Sequence, residues 1–224
     1  MIRELINDQD TAFSKNAIAS KKPKMQAYMK NKFPYYGLPS PIRKEVSKPY
    51  LKELVAGNFD IEKVVKLLWQ KPEREWQYLA QDYLVKCHKQ WQPKHLKLFK
   101  HLTTTKSWWD TVDMIATNLV GALLLKYPEL KSKMNDWNKA DDLWLNRVSI
   151  LYQLKYREAT DIDRLFEYCK NHANSKEFFH QKAIGWALRE LAKREPKLVV
   201  NFVKSNNLAI LSEREALKHL NVKS

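Results

Sequence analysis

His180–Leu191, HQKAIGWALREL, is the stretch from which the fold can be read. Apolar residues recur in it at three- and four-residue spacing, the period of an amphipathic helix. Four other stretches fall into register with it: WQYLAQDYL from Trp76, DTVDMIATNLV from Asp110, LNRVSILYQL from Leu145 and SEREALKHL from Ser212. The register aligns Gln77, Thr111, Asn146, Gln181 and Arg214 at intervals of 34, 35, 35 and 33 residues. Helices of similar length can produce such spacing by accident. A helical repeat of this period nevertheless points to stacked helix pairs, because each pair can bury its apolar face only against its neighbours. The expected fold is all-α, a curved α-solenoid whose concave surface suits a rod-like polyanion.

Helix boundaries read the same way. Pro23, Pro41, Pro72 and Pro196 sit where a first helical turn tolerates a missing N–H. Ser107 with Asp110 and Ser212 with Glu215 match capping boxes, and Asp60 and Asp141 match simple N-caps. The spacing predicts about a dozen helices and no run of strand-like alternation.

Charge supplies the partner. The 224 residues carry 40 Lys plus Arg against 25 Asp plus Glu, a net charge of +15. A chain this basic is suited to nucleic acid or an anionic membrane surface. Its basic residues are spread along the whole length, which disfavours a membrane-surface helix. Cys87 and Cys169 are too few for a disulfide framework, so reduced thiols and a cytoplasmic location are expected. The start MIRELINDQD lacks the apolar run of a signal peptide, and the longest apolar stretch, Leu119–Leu125, is too short to cross a bilayer. Only four glycines occur, with no GxSxG, GxGxxG or P-loop; the six histidines show no HxxxH or HExxH spacing, so neither metal nor cofactor is expected.

TKSWWDTVD, Thr105–Asp113, places two tryptophans and two aspartates within six residues of this basic chain. Two positions beyond the aligned residues stand Leu79, Asp113, Val148, Ala183 and Ala216. Asp113 thus occupies a slot that is apolar in the other four repeats. A carboxylate there carries a desolvation cost unless it is bonded or used, so Asp113 is assigned to function. Asp110, behind Ser107, has a sufficient job as a cap partner. Trp109 shares a helix face with Asp113, and Trp108 is rotated away from it. Lys182, Trp186 and Arg189 form a second face that combines tryptophan with charge, and Arg147 takes the slot equivalent to Lys182. Gly185 removes bulk beside Trp186, where something can approach closely.

Aromatic faces and a carboxylate both stabilise positive charge. Breaking the glycosidic bond of a nucleotide develops such charge on the sugar, and an alkylated purine is cationic beforehand. One carboxylate can orient water and offset the sugar charge, and a cationic leaving group needs no second acid.

TKSWWDTVD, LWLNRVSILYQLKY from Leu143 and SKEFFHQKAIGWALRE from Ser175 closely resemble the AlkD-type alkylpurine DNA glycosylases, bacterial DNA alkylation repair enzymes built from HEAT-like repeats. The resemblance extends to MQAYMKNKF, SPIRK, PEREWQ and LSEREALKH, and is looser up to Lys22. It implies one HEAT-like repeat domain over residues 1–224, with residues 1–22 as an N-terminal capping helix. It further implies a monomer that removes cationic N3- and N7-alkylated purines from duplex DNA, leaving an abasic site. On matching positions, Trp109, Asp113 and Trp186 take catalytic roles, and Arg147 and Arg189 contact the DNA backbone. Lys182, Arg43 and Lys44 are added as phosphate contacts, the last two because Pro41 begins a helix whose N-terminus favours an anion. Lys182 fits a phosphate or solvent role better than a Schiff base. The rival reading is a non-catalytic DNA-binding α-solenoid scaffold, which leaves Asp113 without a purpose.

Overall fold

The computed structural model describes residues 2–220. Among them are fourteen α-helices and no strand. They divide into two compact units, residues 1–91 and 92–224.

The first unit contains α1 (Ile2–Lys15), α2 (Lys22–Tyr28), α3 (Ser40–Ala56), α4 (Ile61–Gln70) and α5 (Arg74–Lys86). The segment expected to cap the array thus contains α1, which packs on α3; α3 and α4 both pack on α5. Phe13 of α1 meets the edge of Trp76 with ring centroids 5.1 Å apart, and the Trp76 indole N–H donates to the Tyr36 hydroxyl at 3.2 Å. Buried Glu75 accepts backbone N–H groups from Tyr36, Gly37 and Leu38 at 3.2, 3.0 and 3.0 Å. That carboxylate pins the loop before α3. Gly37 permits this turn, since it holds φ +87° with the Ile18 carbonyl where a Cβ would stand.

The second unit runs through α6 (His95–Thr104), α7 (Trp109–Met114), α8 (Gly121–Lys126), α9 (Lys133–Asn138), α10 (Leu143–Leu151), α11 (Ile162–Asn171), α12 (Phe178–Ala192), α13 (Pro196–Ser205) and α14 (Ile210–Leu217). Between α7 and α8, Ile115–Val120 continues the helix in the wider π winding. α10 packs on α7 and the π stretch to one side and on α12 to the other; α12 packs on α14.

The repeat register has a physical basis. Gln77, Asn146 and Gln181 each stand fourth in their helices, α5, α10 and α12, and each side-chain amide turns back to the preceding segment. Gln77 Nε2 donates to the Trp69 and Lys71 carbonyls at 3.3 and 2.9 Å. Asn146 Nδ2 donates to those of Trp137, Asn138 and Ala140 at 3.0, 3.0 and 2.9 Å. Gln181 Nε2 donates to the Ser175 carbonyl at 2.9 Å. Helix C-termini leave carbonyls without intrahelical partners. In these three repeats the amide supplies carbonyls at the end of the preceding helix or in the connector after it. The slot two residues on is fully buried at Leu79, Val148, Ala183 and Ala216.

Several helix starts differ from expectation. Asp60 caps α4 through the Lys63 N–H at 2.7 Å, as its sequence position implies. At α10 the cap is Asp142, not Asp141, accepting from Trp144 and Leu145 at 2.9 Å each. Ser107 does not box with Asp110; its hydroxyl donates to the Thr103 carbonyl at 2.6 Å and finishes α6, while extended Trp108 takes the N-cap position of α7. Ser212 lies inside α14 and donates to the Gln181 carbonyl at 3.1 Å, tying α14 to α12. Pro72 lies in the connector before α5, which begins at Arg74.

Candidate active site

The site grows from α7, α10 and α12 of the second unit, with α10 packed on the other two. Asp113 stands one turn after Trp109 on α7, with 17% of its side chain exposed. Arg147, on α10, donates from Nε to Asp113 Oδ1 at 2.7 Å and from Nη2 to Oδ2 at 2.9 Å. Its Nη1 donates to the Phe179 carbonyl at the start of α12, at 2.6 Å. One guanidinium therefore joins three helices, and its fork geometry fixes the plane of the carboxylate. Arg147 is 4% exposed. Sequence reasoning expected it on the DNA backbone; here its Nε, Nη1 and Nη2 are all engaged within the protein. The reason is Asp113: a carboxylate in an apolar slot requires a cation, and α10 provides the nearest one.

The backbone around Asp113 is unusual. The π stretch begins two residues later, and Thr117 Oγ1 donates back to the Asp113 carbonyl at 2.9 Å. π windings recur at functional sites because they re-aim side chains that a regular helix would bury.

Aromatic side chains close one flank. Trp108, Trp144 and Phe179 meet pairwise with ring centroids 4.9 to 5.7 Å apart. The Arg147 guanidinium lies 5.7 Å from the Phe179 ring. Trp108 is thus the packing tryptophan of its pair. Trp109 and Trp186 are both half-buried, at the start of α7 and in the middle of α12.

Lys182 and Arg189, expected at phosphates, are brought together by Glu215, a cap partner by its sequence position. Glu215 of α14 receives Lys182 Nζ at 3.0 Å and Arg189 Nη1 at 2.6 Å. Lys182 heads the causes that hold the Glu215 carboxyl below its ordinary range, and Arg189 adds to it. Gly185 is what lets α14 come so near: a Cβ there would stand 2.4 Å from Glu215 Cβ and 3.1 Å from the Ser212 carbonyl. The close approach anticipated at Gly185 is therefore made by the neighbouring helix. Behind the site, His180 contacts the Ser175 hydroxyl at 2.8 Å and the Asn146 amide oxygen at 3.2 Å. Burial, followed by the charges of His172 and Arg147, pulls its pKa down to about 4.

The remaining expected cations lie in the first unit. Arg43, 4% exposed, pairs with Asp82 at 2.7 Å, so it too is directed inward. Lys44 is exposed on α3, and Pro41 does stand in the first turn of that helix.

Comparison with known proteins gives the family and the fold. Residues 9–220 match the family described as DNA alkylation repair enzyme. A solved structure described as a predicted DNA alkylation repair enzyme from Enterococcus faecalis is similar at 31% identity, with TM-score 0.85, over 92% of this chain and 97% of that one. A crystal structure from Streptococcus mutans UA159 shares the fold at 16% identity, with TM-score 0.60, over 81% of this chain and 97% of that one. No curated protein matches significantly. No helix among the described residues is long and apolar enough to cross a membrane. The chain belongs to the DNA alkylation repair enzyme family, which implies DNA as its partner.

Proposed function

We propose that the chain is a monofunctional DNA glycosylase that hydrolyses the N-glycosidic bond of cationic N3- and N7-alkylated purines in duplex DNA. One observation carries this reading: Asp113, in a slot that is apolar in the other repeats, keeps a partly exposed carboxylate held rigid by Arg147. An ionised carboxylate offers about four lone-pair sites. The Arg147 fork uses two, so two remain for a water aimed at the anomeric carbon and for the developing positive charge of the sugar. Trp109 and Trp186 offer ring faces to the cationic base. Lys182, Arg189 and exposed Lys44 serve the phosphates, with Arg147 reassigned from phosphate contact to positioning residue.

The test is release of abasic sites from a duplex carrying one N7-methylguanine, in single turnover, comparing wild type with Asp113→Asn. Release by wild type that collapses in the variant supports the reading. Salt-sensitive binding with no release above the spontaneous rate would make the protein a non-catalytic DNA-binding scaffold.

A further inference from the structure

A pocket of about 440 Å³ opens in the first unit, lined by Lys24, Met25, Tyr28, Met29, Tyr35 and Tyr78. Helical spacing builds its wall: Lys24 and Tyr28, and Met25 and Met29, stand four residues apart along α2 and its C-terminal cap. Left-handed Lys30 and Asn31, with φ of 55° and 57°, then turn the chain so that Tyr35 returns to the pocket. Met29 and Tyr35 are buried; Tyr28 is 68% exposed. The Tyr35 and Tyr78 hydroxyls meet at 3.2 Å. Arg43 and Arg74 hold their guanidinium groups 5.5 and 6.0 Å from the Tyr78 ring centroid.

Two properties coincide here. The lining is aromatic and thioether, suited to a flat, polarisable guest. The stretch around it, Lys21–Lys32, carries five lysines and no acid, suited to a polyanion. An apolar peptide would satisfy the first property alone. A nucleobase attached to its phosphates satisfies both, and single-strand readers combine the same elements.

We propose that this pocket takes an unpaired nucleobase of the DNA, stacked against Tyr28 with the flanking phosphates on Lys24 and the neighbouring lysines. The site rests on DNA as partner and not on the glycosylase reading. It gives the first unit a grip on strand ends, gaps or frayed bases.

The full chain is titrated with a single strand carrying one 2-aminopurine among thymines, with a strand of the same length made of abasic analogues throughout, and with a blunt undamaged duplex. Bound 2-aminopurine is expected to be quenched, and the base-bearing strand to bind about tenfold more tightly than the abasic one. Tyr28→Ala should remove both effects while leaving the blunt duplex unchanged, and Tyr28→Phe should retain them. Tyr28 is 68% exposed, and melting temperatures of both variants equal to that of wild type show that the fold is kept. Equal affinity of wild type for base-bearing and abasic strands would overturn the proposal, as would a Tyr28→Ala loss shared by all three ligands. No excision is read, so this assay can fail while the glycosylase reading stands, and the reverse.

Discussion

Arg147 grips Asp113 across one repeat period, 34 residues apart, with two parallel hydrogen bonds of 2.7 and 2.9 Å. The pair is largely buried, and Arg147 also donates to the Phe179 carbonyl.

This pairing sets an expectation for Arg147 unlike that of a phosphate contact. Arg147→Lys keeps the charge but loses the fork, so excision should fall by about two orders of magnitude or more while affinity for undamaged duplex stays within about twofold. Arg147→Ala strands a partly buried carboxylate and should cost about 3 kcal/mol of stability, visible in denaturant melts. An Arg147→Lys variant that excises normally but binds weakly would return Arg147 to the backbone.

Glu215 should restrain the two cations it holds. Its carboxylate offsets part of the charge of Lys182 and Arg189, and a phosphate must compete with it for both. Glu215→Gln is therefore expected to tighten binding to undamaged duplex by about tenfold and to steepen the log–log salt dependence by about one. Excision should fall at the same time, since Arg189 loses its fixed position. Binding isotherms at four salt concentrations separate this from simple destabilisation, which would weaken both.

Much of the fold, and the residues of the candidate site, are legible from spacing. The aligned polar residues Gln77, Asn146 and Gln181 make the same kind of closing contact, and that shared role keeps the register visible where apolar positions drift. The role of Asp113 as the odd member of a buried slot could be read because its counterparts are apolar. Its partner was not read, although Arg147 lies one period away, as Glu215 does from Lys182. Opposite charges one period apart are the signal, because stacked repeats put such positions face to face. The caps at Ser107 and Ser212 misled for a different reason. Hydroxyls bond equally well to the carbonyls of a neighbouring turn or helix, and only tertiary packing decides between them.

Asn146 tests whether the register amide is structural. It closes the α9–α10 hairpin with three hydrogen bonds, and the carbonyls it serves are buried or half-buried. Asn146→Ala leaves the Trp137 and Ala140 carbonyls short of this donor, while that of Asn138 keeps His172 Nε2 at 2.9 Å, and should cost about 2–4 kcal/mol, against about 1 kcal/mol for Gln181→Ala, which loses a single such bond. Urea midpoints of the two variants give the ratio; equal losses would show that the hairpin is held by its apolar contacts instead.

The histidine pair behind the site gives stability a definite pH dependence. His172 and His180 lie with ring centroids 4.5 Å apart, and burial heads the causes that lower both pKa values, that of His180 to about 4. The unfolded chain, with His near its ordinary 6.5, takes up a proton before the folded chain does. Stability is therefore at its full value above pH 6.5 and is lost as pH falls toward 4. Protonation would also place a cation beside Arg147, working against the Asp113 pair. Melting temperature should thus decline from pH 7 to 4.5 in wild type, and His180→Gln should flatten that decline while lowering the plateau at neutral pH. A decline of unchanged slope in His180→Gln would assign the acid sensitivity to His172 or to the carboxylates.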